Sequence, residues 1–197
     1  PRFPLAVGAH YVQGDIGTTG FLRDLLDQCD EVIDLAYATV PKTSFDDPIL
    51  DVQANLPSSV ALLREAARSR LRRFILVSSG GTVYGNAKNL PIDESHPTNP
   101  ISPYGITKLA LEKYAQMFCS LESLPAIIVR PSNAYGIHQL GDLSQGFVGA
   151  SIHATLQGQE VKLFGQQGTT RDYIFVTDLA EGIASALEHG IVGETYN

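Results

Sequence analysis

Val77-Ser78-Ser79-Gly80-Gly81-Thr82-Val83-Tyr84-Gly85, followed by Ser102-Pro103-Tyr104-Gly105-Ile106-Thr107-Lys108, decides how this chain is read. The first stretch continues an apolar run, Phe74 to Val77, into a turn rich in glycine and hydroxyl groups. That pattern is a buried strand opening into a loop. The second stretch starts a helix: Ser102 is a good N-cap and Pro103 suits the first helical position. Tyr104 and Lys108, four residues apart, then project from one helix face. A phenol beside an ammonium is an acid–base device, because the positive charge favours the phenolate and draws its pKa down from about 10. A drop of about three units takes about 4 kcal/mol, and one lysine supplies only part of it. The competing reading is an amphipathic surface helix with an incidental tyrosine. Spacing alone does not decide, since Tyr84-Gly85-Asn86-Ala87-Lys88 repeats it. There the glycine and asparagine read as a turn, so those two side chains share no helix face.

Outward from this stretch, short apolar runs alternate with helical patterns. Strands are expected at 9–13, 32–36, 74–78 and 126–130. Phe21, Leu22, Leu25 and Leu26 form one stripe of a helix within 18–29. Residues 41–48 read as a polar loop with two prolines. A helix is expected over 58–71, with a bend near Asn55 because Pro57 follows. Residues 85–103 form a long connection, a length that is usually functional or packed over a site. A helix over 103–122 and the strand 126–130 follow. The alternation is that of a parallel α/β sheet with right-handed crossovers. Ligands in such sheets sit beyond the carboxyl ends of the strands, where Ser79, Thr82, Asn133 and the Tyr104 helix converge. From 142 the character changes: a helix at 147–156, a short strand at 161–165, a loop, a strand at 171–176, and a helix capped by Thr177-Asp178 and stopped by Gly190.

The 197 residues are 44% hydrophobic, ample for one core and part of a second lobe. A net charge of −7 argues against nucleic-acid or anionic-membrane partners. The basic cluster Arg64, Arg68, Arg70, Arg72 and Arg73 reads as a solvated helix end. Cys29 and Cys119 lack metal-ligand spacing, no histidines pair at helical spacing, and no metal site is expected. The two cysteines fit a reduced, cytoplasmic setting. No apolar run approaches the roughly 18 residues of a membrane span, and the first residues lack a secretory pattern.

The Ser-Gly-Gly-Thr-Val-Tyr-Gly turn, the Tyr104/Lys108 pair, and Arg171-Asp172-Tyr173-Ile174 before Val176-Thr177-Asp178-Leu179-Ala180 together resemble the extended short-chain dehydrogenase/reductase family, in particular its NAD-dependent nucleotide-sugar epimerases and dehydratases. The resemblance implies a Rossmann-like, doubly wound parallel sheet over residues 1–141 and part of a smaller substrate lobe over 142–197. It implies NAD as cofactor and a nucleotide sugar, a UDP-sugar for choice, as substrate. A homodimer is a family expectation.

By the same resemblance Tyr104, Lys108, Ser79 and Thr82 are the catalytic residues. Asp15 and Ile16 of a Gly-Asp-Ile match, Leu35, Ala36, Asn55, Ser78 and Pro131, together with Tyr104 and Lys108, face the cofactor. Thr82, Asn133, Phe164 and Arg171 face the substrate, and the arginine suits a diphosphate because its guanidinium is bidentate. The implied reaction is 4-epimerisation. The Tyr104 phenolate takes the proton of the sugar 4-hydroxyl while hydride passes to NAD, and hydride returns to the other face of the keto sugar. Lys108 and the cationic oxidised nicotinamide lower the tyrosine pKa.

Several positions depart from the family pattern. Asp34 replaces a histidine, Tyr37 a small residue, and Gly80 a serine or threonine, so that Ser79 or Thr82 must polarise the oxygen in its place. The 145–148 region matches the uridine contacts poorly. A 4,6-dehydratase or decarboxylase is the alternative within the family. Dehydratases carry acids where this chain has Gly81 and Thr82, and eliminating water needs an acid and a base at the next carbon. A non-catalytic dinucleotide sensor is the alternative of another class. The resemblance finds no counterpart of the family's first strand–helix unit with its phosphate-gripping GxxGxxG; the run with that spacing, Gly14 to Gly20, falls in the Gly-Asp-Ile match that follows the third strand. The expectation is therefore a stretch of a longer protein that begins before the family's third strand, with strand edges left open and without the helix N-terminus that grips a pyrophosphate.

Overall fold

A computed structural model describes residues 6–137, 139, 146–161, 163 and 170–197. The elements follow in order α1 (Thr19–Leu26), β1 (Glu31–Asp34), α2 (Pro41–Asp46), α3 (Pro48–Arg68), β2 (Arg73–Val77), α4 (Pro103–Glu122), β3 (Ala126–Val129), β4 (Asn133–Tyr135), α5 (Phe147–Leu156), β5 (Tyr173–Phe175), α6 (Val176–His189) and β6 (Thr195–Tyr196). Strands β1, β2, β3 and β6 form one sheet in that order, every neighbouring pair parallel. Strands β4 and β5 pair in parallel as a second, two-stranded sheet.

The period-two alternation of the strands divides the core. Phe74, Leu76, Ala126 and Ile128 point to one face, where Leu22 and Leu26 of α1, Leu62, Leu63 and Ala66 of α3, and Leu111, Ala115 and Phe118 of α4 cover them. Ile75, Ile127 and Val129 point to the other face and meet Ile183 of α6. Helices therefore clad both faces of a parallel sheet, the doubly wound α/β arrangement that the sequence implies. Elements α6 and β6 return to this sheet although they lie beyond residue 142.

Four expectations are corrected. Residues 9–13 are not a strand: they are exposed and have no ladder partner among the described residues, so nothing repays the ordering of the backbone. The supposed loop 41–48 contains α2. Pro41 and Pro48 each stand at a helix start, where a missing N–H costs nothing, and the Asp47 carboxylate accepts from Leu50 N at 2.9 Å to cap α3. The helix expected over 58–71 starts at Pro48 and runs through Pro57. The proline penalty of about 3 kcal/mol is outweighed by buried leucines on the same helix, each contributing about 1.5–3 kcal/mol. Helix α6 starts at Val176, so Thr177 and Asp178 lie in its first turn and do not cap it. The strand expected at 161–165 lies largely outside the described residues. Of the basic cluster, Arg64 and Arg68 converge with Arg23 on Glu65, and Arg72 pairs with Glu31.

Candidate active site

Beyond the carboxyl ends of β2 and β3 lies a cleft of about 400 Å³. Leu35 beyond β1, the Ser78–Thr82 turn beyond β2, Pro131 and Asn133 beyond β3, Tyr104 and Lys108 of α4, and Arg171 just ahead of β5 line it. Helix α4 begins as its sequence dictates: the Ser102 hydroxyl accepts from Gly105 N at 3.1 Å, and Pro103 occupies the first turn. The next free amide, Tyr104 N, donates to the buried Ser44 hydroxyl of α2 at 3.2 Å. The segment that reads as a loop thus anchors the start of the helix that carries the tyrosine.

Lys108 is only 6% exposed, and its ammonium donates to Val77 O at 2.9 Å. The Tyr37 ring lies 4.1 Å from Nζ and the Tyr104 ring 5.8 Å away. The two tyrosine rings meet edge to face, 4.9 Å between centroids. Burial lowers the Lys108 pKa to about 8 against the pull of Asp34, Asp51 and Glu112. Burial likewise raises the Tyr104 pKa to about 12; Asp51 adds to the rise, and the Ser79 hydroxyl favours the phenolate. This corrects the expectation that Lys108 draws the phenol down. The ammonium is bonded to a carbonyl and faces two rings, and desolvation of the phenolate prevails.

Under the cleft, the fully buried Asp51 carboxylate accepts from Thr107 Oγ1 at 2.7 Å and from Thr39 Oγ1. Asn55 accepts from Ala38 N at 2.7 Å and donates to Asp51 O at 2.8 Å and Thr39 Oγ1 at 3.1 Å. It ties the segment after β1 to α3 without lining the cleft. Asp15 accepts from Gly17 N in a turn, Ile16 packs against the core, and neither lines the cleft; nor does Ala36, whose N–H donates to Asp34. Ser78 borders the cleft, but its hydroxyl donates into the interior, to Glu112 Oε1. Phe164 lies outside the described residues.

That interior contact opens a network that sequence reasoning missed. Arg130 grips Glu112 with two bonds of 3.0 and 2.6 Å, and donates to Tyr84 Oη at 2.7 Å. Tyr84 donates to Asn197 Oδ1 at 2.6 Å. Tyr84 is thus committed to the interior, and the competing Tyr84/Lys88 spacing forms no pair at the cleft. The signal for Glu112 was present: it follows Lys108 by four residues, on the stripe that buries Leu111 and Ala115. Its partner, across the sheet, carried no local signal.

The turn between β2 and the cleft needs glycine at position 80. A Cβ there would stand 2.7 Å from Arg130 O. A hydroxyl-bearing side chain, which the family usually places at this position, would require the backbone here to shift. Thr82, whose buried Oγ1 has no hydrogen-bond partner among the described residues, lines the cleft instead. Asn133 donates to Asp172 O at 2.9 Å, joining β4 to the segment before β5, and Arg171 is exposed. No described helix is long and apolar enough to cross a membrane, and no metal-binding cluster occurs among the described residues.

Comparison with known proteins agrees with this geometry. A UDP-glucose 4-epimerase of Mycolicibacterium smegmatis is 34% identical over 191 residues, 97% of this chain and 60% of that protein. The dTDP-D-glucose 4,6-dehydratase of Homo sapiens is 30% identical over 95% of this chain and 53% of its own length. The crystal structure of a UDP-glucose 4-epimerase from Thermotoga maritima, solved with UDP-glucose, superposes with a TM-score of 0.91 at 29% identity, over 98% of this chain and 63% of that one. The chain therefore spans less than two thirds of these relatives. The model of the NAD dependent epimerase/dehydratase family matches residues 2–197, and with the parallel sheet and its tyrosine–lysine helix in view, the chain belongs to that family.

Proposed function

We propose that this chain carries the catalytic half of a nucleotide-sugar 4-epimerase. The observation that supports it best is the convergence of Tyr104, Lys108, Ser79 and Thr82 on one cleft at the carboxyl ends of a parallel sheet. The residues fit the nicotinamide side of NAD: a buried ammonium suited to ribose hydroxyls, and an orphaned Thr82 hydroxyl. Leu35, Pro131 and Lys108 are the groups in the cleft that would hold this side. Asn55 acts by fixing the segment that carries Leu35 to Ala38, and Asp15, Ile16 and Ala36 would act only toward a ligand reaching past the described cleft. Bound NAD would supply a cationic hydride acceptor for the sugar carbon.

Tyr104 exchanges the proton of the sugar 4-hydroxyl, directly or through Ser79 or Thr82. With a pKa near 12 it is a proton donor at rest. Acting as a base at pH 7 takes about 7 kcal/mol, five units at about 1.36 kcal/mol each. That requirement makes proton abstraction dependent on positive charge arriving with the ligands. Lys108, mostly charged at pH 7, contributes part of it and fixes the geometry. Arg171 and Asn133 are suited to the diphosphate.

Elimination of water is supported less well. Among the described residues lining the cleft there is no carboxylate, and the dehydratase alternative needs one. Incubation with NAD and UDP-galactose tests the reading. Interconversion with UDP-glucose sustains it; a 4-keto-6-deoxy product assigns the dehydratase; binding of NAD without turnover of any UDP- or dTDP-sugar assigns the sensor. The reading includes a homodimer, supported by exposed Tyr114, Met117 and Leu121 at helical spacing on α4, and sedimentation tests it.

A further inference from the structure

Tyr37 stands where the resembled family has a small side chain. Its ring face is the nearest aromatic surface to the Lys108 ammonium, at 4.1 Å, closer than that of Tyr104 at 5.8 Å. Its ring also meets Tyr104 edge to face. Its hydroxyl is buried beside Thr39 and Thr107, the two donors to Asp51, without a well-formed bond of its own. The side chain is therefore a strut: its foot rests on the Asp51 cluster, and its face lies toward the cleft and the ammonium.

We propose that Tyr37 is a positioning residue whose ring face holds the Lys108 ammonium beside Tyr104, so that three side chains rather than two form the proton-handling unit. The ring quadrupole attracts a cation most strongly when water is excluded, as it is around this lysine. The proposal rests on Tyr104 and Lys108 being the working pair. Other groups act on the ammonium too: Asp34 at the end of β1, Asp51 of α3, Glu112 of α4 and the carbonyl of Val77 on β2. None of these is removed by changing Tyr37, so a substitution there isolates the ring.

The test titrates Lys108 by NMR in protein labelled with ¹³C and ¹⁵N at lysine, with the resonance assigned by its loss in Lys108→Met. Tyr37→Phe keeps the ring and is expected to leave the midpoint at its wild-type value. Tyr37→Leu keeps an apolar side chain, though a smaller one, and removes the quadrupole. It is expected to lower the midpoint by about half a unit to one and a half units. Tyr37→Met, of similar volume, serves in its place if the leucine variant does not fold. A midpoint that stays or rises in the aliphatic variant overturns the proposal, and so does a phenylalanine variant that titrates like the leucine one. The readout is independent of turnover. A shifted midpoint in a protein that epimerises no sugar overturns the epimerase reading and leaves the clamp standing.

Discussion

Two polar clusters share helix α4, four residues apart, and they are built in opposite ways. Around Glu112 everything is satisfied: Arg130 holds both carboxylate oxygens, and Ser78 and Tyr84 complete the set. Around Lys108 little is. Among the described residues the ammonium has one acceptor, the buried Thr82 hydroxyl has no partner and the Tyr37 hydroxyl no well-formed bond, and the pKa values of Lys108 and Tyr104 are displaced in opposite directions. Saturated polar networks fix a structure, whereas unsaturated ones wait for something to bind. By that criterion the Glu112 side reads as scaffold and the Lys108 side as the candidate site.

The comparison is most exposed to failure at Tyr104. Tyr104→Phe should leave the unfolding midpoint near wild type and cut the epimerisation rate by about a hundred- to ten-thousandfold, the range for loss of a general acid–base group. Equal losses in both measurements would break the distinction. Glu112→Ala should do the reverse in kind. It strands a buried arginine, and denaturant titration should register a loss of about 3–5 kcal/mol.

A pH series sharpens the contrast. The folded pKa of Lys108 is depressed to about 8 from about 10.5, so below pH 8 the buried charge is carried at full cost. From pH 8 upward the folded state sheds its proton while the unfolded chain keeps it, and stability contributed by this group rises. Tyr104 has the opposite sign: its raised folded value removes stability only above about pH 10, where the unfolded phenol ionises. Between pH 8 and 9.5 the net gain should be on the order of 1–2 kcal/mol, and Lys108→Met should flatten it. The smallest effect belongs to Thr82→Val. Removal of an unbonded buried hydroxyl should not destabilise the fold, while the rate falls about tenfold or less, the scale of one neutral hydrogen bond.

The sequence showed much of this, unevenly. Strand β2, helix α4 and strand β3 were legible because their apolar runs and caps are local signals. Tyr104 and Lys108 stood out only because their spacing falls on a capped helix; the same spacing at Tyr84 and Lys88 falls in a turn. Helix α2 was not, since its polar residues have no periodicity and its prolines read as breakers rather than starters. The strand expected at 9–13 failed because a ladder requires a neighbour, which no single segment reveals. The bond between Arg130 and Glu112 joins a strand to a helix and has no sequence period. The direction of the Tyr104 shift was misjudged because it is a contest between charge and burial, and burial is a property of the fold alone.

Asn55 is a small feature with a large consequence. Its carboxamide oxygen accepts from Ala38 N while its nitrogen donates to Asp51 O and Thr39 Oγ1 in the same pose. Aspartate has the same outline but only accepts, and would set a second negative charge near Asp51. Leucine matches the branching, with a larger volume, and does neither. Glutamine carries both functions one carbon too far out. The segment under the cleft therefore hangs on a side chain that accepts and donates at once from a single γ-carbon, a combination no other amino acid offers.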